Sequence, residues 1–183
     1  MKKMNIYKTR ERINMLLLKF ILLIGVFGTI SMIGINISKK YVERANNLKQ
    51  IKKALNIFET KITYTYEPIP DVFLEISKKI KGNVGKLFFD ASQQMQLDFA
   101  GEVWENCISN SNLGLLDDDK EALKSLGKLL GSTDIEGQIS QIRLVNTFLD
   151  SQIEDATELR NKNEKMYKKL GIIVGLAVVI VLV

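Results

Sequence analysis

The sequence predicts an all-α fold: a helical bundle between an N-terminal and a C-terminal transmembrane helix. Three observations carry this. The chain has only two prolines in 183 residues, Pro68 and Pro70, and both fall in one turn. Apolar residues recur at steps of three and four, and nowhere is the period-2 alternation of a half-buried strand sustained. Residues 20–37 and 170–183 are two predominantly apolar stretches.

The elements follow in order. Residues 1–14 form a basic tail, in which Lys2, Lys3, Lys8, Arg10 and Arg12 stand against Glu11. The first transmembrane helix falls within residues 15–37, and a helix over 20–37 would be about 27 Å long, enough to cross a hydrocarbon core. It is longer than a signal-peptide core and no small-residue cleavage pattern follows it, so it reads as an uncleaved anchor. The helical domain, residues 38–169, then opens with a helix to about Thr65 that continues the membrane helix without a joint. Its stripe is Val42, Ala45, Leu48, Leu55, Phe58 and Ile62, while Lys49, Lys52, Lys53 and Glu59 take other faces.

Glu67-Pro68-Ile69-Pro70 stops that helix, because each proline biases its predecessor away from the helical region. Asp71 is expected to cap a short helix with Val72, Phe73, Ile76 and Ile80 inward and Gly82 at its end. Asn83 opens a third helix carrying Val84, Leu87, Phe88 and Met95, and a fourth includes Val103, Trp104, Cys107 and Ile108. After a polar break at 109–114, Asp117, Asp118 and Asp119 precede a fifth helix with Leu123, Leu126 and Leu130 on one face. Residues 131–134 make a turn in which Ser132 or Thr133 is expected to cap the last helix. That helix bears Ile135, Ile139, Ile142, Val145, Leu149, Ile153, Ala156 and Leu159, a heptad-like stripe that should pair antiparallel with the first long helix. Residues 170–183 form the second transmembrane segment. At about 21 Å it is short, so it crosses with snorkelling by Lys168 and Lys169, or else lies as a re-entrant or interfacial tail.

Charge orients this arrangement. The net charge of +5 comes from the N-terminal region: setting aside Glu11 and six basic residues up to Lys19 leaves 20 of each sign from totals of 21 and 26. A nucleic-acid binder carries its positive excess on the folded body, so nucleic acid is not an expected partner. Lys39, Lys40, Arg44, Lys49, Lys52 and Lys53 flank one end of the body, and Arg160, Lys162, Lys165, Lys168 and Lys169 the other. This favours a hairpin with its central domain cytoplasmic. The basic tail would then have to be translocated, unless translation starts at Met15.

Composition argues against an enzyme. With no histidine, the usual proton shuttle and the commonest zinc ligand are missing, and the lone Cys107 precludes an intramolecular disulfide and reads as an apolar filler. No catalytic, cofactor or metal residues are expected. The Asp117–Asp119 run (three successive carboxylates facing different ways) reads as the acidic start of a helix rather than a metal site. Residues 81–86 lack the spacing and the Lys-Ser/Thr ending of a phosphate loop. Trp104 and the phenylalanines are expected in the core, and Lys19 as a snorkelling anchor. Tyr64 and Tyr66, next to the rigid proline turn, mark either a plain helix terminator or a docking point.

Three blocks, in this order, resemble the stage III sporulation protein AB family. The first is Phe58-Glu59-Thr60-Lys61-Ile62-Thr63-Tyr64 followed by Pro68-Ile69-Pro70-Asp71-Val72-Phe73. The second is Leu126-Gly127-Lys128-Leu129-Leu130-Gly131-Ser132-Thr133-Asp134 with Gln138 and Arg143. The third is Lys165-Met166-Tyr167-Lys168-Lys169-Leu170-Gly171 before the apolar tail. The resemblance runs from about Met15 to Val183. That family is in turn similar to one F domain of the inner-membrane platform proteins of type II secretion and type IV pilus systems.

The resemblance implies an F-domain-like bundle in a non-enzymatic platform of the mother-cell membrane around the forespore. Its cytoplasmic domain would meet the companion ATPase, stage III sporulation protein AA, within a channel that includes other membrane components. A homo-oligomer would supply the second F-like domain that secretion platforms usually carry in one chain. Candidate contact residues are Glu67 and Asp71 at the proline turn and Asp134 and Gln138 at the opening of the last helix. The basic tail is longer than the family usually shows, which again points to Met15 as an alternative start. A membrane-tethered coiled-coil scaffold or sensor, pairing between chains through the heptad-like stripe, is the rival reading. A pore built from the two apolar segments is a third, but neither segment carries a polar face.

Overall fold

The computed structural model describes the backbone of residues 2–182 and the side chains of residues 19 and 21–180. The basic tail side chains and Met15, on which the orientation partly rests, lie outside the described side chains. The described residues form six helices: α1 Lys2–Tyr64, α2 Ile69–Lys79, α3 Gly82–Gln94, α4 Ala100–Ser109, α5 Asp117–Gly127 and α6 Ile135–Leu182. They divide into two compact units, one of residues up to Lys40 together with those from Asn161, the other Tyr41–Arg160.

The second unit is a closed helical body. Ala45, Leu48, Ile51, Ala54, Leu55 and Phe58 of α1 are fully buried, while Val42 is only half-buried. From α6 come Ile142, Val145, Leu149 and Ala156, with Ile139 and Ile153 packed against them. The two helices run antiparallel, as a ladder of polar contacts shows. Arg143 Nε donates to Glu59 Oε1 at 2.7 Å, Asn146 Nδ2 donates to Asn56 Oδ1 at 3.0 Å, and Lys52 pairs with Asp150. Leu159, expected on the stripe, is exposed, because the body ends at Arg160.

The short helices close the core around four rings. Phe73 lies edge-on to Phe58 at 5.2 Å and to Trp104 at 5.5 Å, and Phe88 lies 5.3 Å from Trp104. Trp104 Nε1 donates to the Leu123 carbonyl at 2.6 Å, so the one polar atom of the ring is satisfied while its surface stays buried. Phe89 and Phe99 depart from the expectation that the phenylalanines are core: they are 47% and 82% exposed, because they lie off the inward face of α3 and in the α3–α4 connection. Between α4 and α5 the backbones touch. A Cβ on Gly101 would come within 2.2 Å of the Gly127 carbonyl oxygen, so that crossing requires glycine.

Four helix starts differ from expectation. Helix α5 begins at Asp117, so Asp117, Asp118 and Asp119 sit in its first turn instead of preceding it, where carboxylates favour the positive end of the helix dipole. Helix α2 begins before Asp71, at Ile69, with Pro70 in its first turn, where a missing N–H costs nothing. Pro68 O accepts from the Asp71 and Val72 N–H groups at 3.0 and 3.1 Å, so Asp71 sits in the first turn without capping through its side chain. Gly82 opens α3, at φ +78, instead of closing α2. At α6 the cap is Asp134 rather than Ser132 or Thr133: its Oδ1 accepts from Gly137 N–H at 2.9 Å.

In the other unit the ends of α1 and α6 also meet backbone to backbone. A Cβ on Gly34 would lie 2.7 Å from the Tyr167 carbonyl oxygen and 2.9 Å from Gly171 Cα. Ser38 Oγ donates to the Glu164 carbonyl at 3.3 Å. Apolar side chains turn outward on both segments, Leu22, Ile24 and Met32 on α1 and Ile173, Leu176 and Ile180 on α6. Among the described residues, one helix, α1 from Ile21 onward, has a stretch long and apolar enough to cross a membrane.

Candidate interaction surface

Three connections converge at one end of the body: residues 65–68, 95–99 and 128–134. They meet around Gly131, at φ +74. A Cβ there would sit 3.6 Å from Ala100 Cβ and 3.7 Å from Ile69 Cδ1, in ordinary contact with the starts of α4 and α2. Three of the four candidate contact residues lie here in accessible positions. Asp71 and Asp134 are exposed, and Glu67 is partly exposed. Gln138 does not join them. It is buried beneath the turn, where Nε2 donates to the Thr133 carbonyl at 3.2 Å and Oε1 has no protein partner.

A charge relay underlies the proline turn. Lys61 Nζ lies 2.5 Å from Glu75 Oε2 and 3.2 Å from Glu67 Oε1, and Lys79 Nζ lies 2.7 Å from Glu75 Oε1. Hydrogen bonds from Lys61, then Lys79, pull the Glu75 carboxyl down to about 2. The hydrogen bonds to Glu75, then Glu67, raise Lys61 above its ordinary value. Glu67 is therefore held by an internal partner, whereas Asp71 faces solvent.

Two features go beyond the sequence expectations. The first is apolar: Leu97 and Phe99 join Tyr64 and Tyr66, which the sequence marks as a helix terminator or a docking point. Leu97, Phe99, Tyr64 and Tyr66, at 87%, 82%, 77% and 72% exposed, are the most exposed large apolar side chains described in the body, and they lie at the end of α1 and in two of the three connections. Leu97 and Phe99 follow Met95, the last inward residue of this segment, and fall off its stripe; that spacing was the available signal. The second is buried charge at the other end of the body, where its portion of α1 begins. Arg44 Nε and Nη2 donate to Asp119 Oδ2 and Oδ1 at 2.8 and 2.9 Å, and Nη2 also donates to Gln152 Oε1 at 2.9 Å. Asp119 Oδ2 additionally accepts from Leu116 N–H at 2.9 Å, so the acidic start of α5 is both a helix-end contact and an internal ion pair.

A cavity of about 450 Å³ between α3 and α4 is lined by Asn83, Lys86, Asp90, Asn106 and Cys107, among others. Burial, and then the Asp90 charge, push the Cys107 thiol up, so it stays protonated and is a poor nucleophile. No group of three or more His, Cys, Asp or Glu residues able to hold a metal occurs among the described residues.

The model of the stage III sporulation protein AB family matches residues 19–183. The chain belongs to that family. Stage III sporulation protein AB of Bacillus subtilis (strain 168) is 33% identical over 153 residues, covering 81% of this chain and 90% of that protein. A solved structure of Stage III sporulation protein AB (SpoIIIAB) is similar to this one with a TM-score of 0.62 at 29% identity, covering 66% of this chain and 98% of that one. The all-helical, strand-free build of the described residues is thus one this sporulation family shares, and all three blocks that carried the resemblance fall inside the matched span.

Proposed function

We propose that this chain is a non-enzymatic membrane platform of the channel between mother cell and forespore, and that it docks the companion ATPase, stage III sporulation protein AA, through its helical domain. The observation that carries the reading is the convergence of three connections at one end of the body, with the Asp71 and Asp134 carboxylates presented there and Glu67 beside them. Family membership supports the sporulation setting.

The membrane part of the reading is a hairpin, with residues 15–37 and 170–183 both crossing and residues 38–169 in the cytoplasm. The outward-facing apolar side chains of both segments, their close approach at Gly34 and Gly171, and the lysines and arginines at the edges of the body support it. Self-association into a homo-oligomer would bring several F-domain-like bodies to one ATPase. The heptad-like stripe is occupied within the chain, where Ile142, Val145 and Leu149 are buried. This favours the platform over a coiled-coil scaffold that pairs between chains.

Two experiments test the proposal. A clean deletion should arrest sporulation after the forespore forms, and normal counts of heat-resistant spores would remove the sporulation role. Replacing Glu67 and Asp71 by lysine should abolish capture of the ATPase by the full chain while helicity is kept. Unchanged capture would remove that surface from the reading.

A further inference from the structure

Exposed apolar side chains gather at this end of the body, beside the carboxylates of the connections. Tyr64, Tyr66, Leu97 and Phe99 are each more than two-thirds exposed in the free chain. Single exposed apolar residues are common, but the four most exposed in a body gathering at one end mark an interaction site. Tyr66 also holds φ at 51, the described non-glycine residue with positive φ. A β-carbon disfavours that left-handed conformation. The turn thus keeps a strained backbone whose ring points into solvent, an arrangement that contributes nothing to the core.

Charge narrows the occupant. Glu67, Asp98 and Asp134 lie in the three connections and Asp71 one turn beyond, against Lys128; Lys61 beneath them is already shared by Glu67 and Glu75. Nucleic acid and anionic lipid would be repelled from such a surface. Arginine suits both halves of it: a guanidinium stacks on aromatic faces and pairs with carboxylates through a planar fork, and it gives up water more readily than an ammonium group.

The geometry points to Tyr64, Tyr66, Leu97 and Phe99 as the anchors of a docking surface for an arginine-bearing face of a partner protein, with Asp71, Asp98 and Asp134 as its charged rim. This rests on the platform reading and gives its ATPase contact a chemistry. The rim sets the salt dependence and the rate of encounter, while the anchors set how long the complex lasts.

The experiment uses the full chain in lipid nanodiscs and the purified companion ATPase, with association followed by interferometry. Tyr66→Ala and Phe99→Ala should each weaken binding at least tenfold, mainly by faster dissociation. Asp71→Lys with Asp98→Lys should slow association and flatten its salt dependence. All these side chains are solvent-exposed, and unchanged helicity would show that the fold persists. Native binding by Tyr66→Ala and Phe99→Ala would overturn the inference and leave the platform reading intact. Absence of binding by the unsubstituted chain would overturn the platform reading itself, and the inference with it. If sedimentation showed that the chain self-associates and that the alanine variants dissociate it, the occupant would be a second copy, and the arginine-bearing partner would be excluded.

Discussion

Arg44 grips Asp119 through two near-parallel hydrogen bonds of 2.8 and 2.9 Å, with side chains only 8% and 0% exposed. The pair joins the start of the body's portion of α1 to the first turn of α5, 75 residues away. Neither residue faces the candidate docking end. Its role is to fix how α5 seats on α1, with Gln152 and the Leu116 N–H satisfying further hydrogen-bonding capacity of the same groups.

Asp119→Ala leaves a buried guanidinium without its counter-charge, so the body should lose about 3–5 kcal/mol of stability. Arg44→Met combined with Asp119→Leu should cost far less than the single change. Thermal unfolding of the full chain, followed by circular dichroism, measures both. Equal losses for the single and double variants would assign the pair no special weight.

Gly101→Val should separate α4 from α5, because even a Cβ would come within 2.2 Å of the Gly127 carbonyl oxygen. Overpacking of this kind costs about 1–3 kcal/mol. Hydrogen exchange should speed up first in α4 and α5, and native exchange rates there would contradict the contact.

Glu75 titrates lower in the folded chain than in the unfolded one, at about 2 against an ordinary value of 4.5. Its contribution to stability is therefore complete above pH 4.5 and is lost as pH falls toward about 2. Glu75→Gln should unfold less steeply with acid across that window than the native chain. Superimposable acid limbs would show that the Lys61–Glu75–Lys79 relay carries no net linkage.

Gly34→Leu should disrupt the packing of the α1 and α6 ends, since the space for its Cβ is taken by the Tyr167 carbonyl oxygen and Gly171 Cα. Hydrogen exchange of the full chain in detergent checks this and should speed up around Gly34 and Gly171. Native exchange rates there would remove that approach.

The helices themselves were legible, because burial imposes its period on each segment locally. Leu48, Leu55, Phe58, Ile142, Val145 and Leu149 are buried as their spacing requires. The heptad-like repeat overran the body at Leu159 because periodicity does not say where a packing partner ends. Caps were misread where proline chemistry competed: Pro70 suits a first turn so well that α2 starts ahead of Asp71. Long-range pairings left no local trace. Nothing near Arg44 names Asp119, and nothing near Gly101 names Gly127. At this end of the body Glu67, Asp71 and Asp134 are accessible, whereas Gln138 lies beneath the turn and Phe99 outside the core, since hydropathy cannot separate a buried aromatic from an exposed one.

The ladder between α1 and α6 sets a constraint on biosynthesis. Glu59 waits for Arg143, 84 residues later, and Asn56 for Asn146, 90 residues later. At about 5–20 residues per second, a ribosome needs several seconds or more to supply those partners. Until then the apolar stripe of α1 lacks its α6 mate, and a nascent chain stalled before residue 142 cannot complete its core. Closure of the body therefore falls at the end of synthesis, so shortened products would emerge with an open seam that proteases and chaperones recognise, and quality control would discard them before assembly.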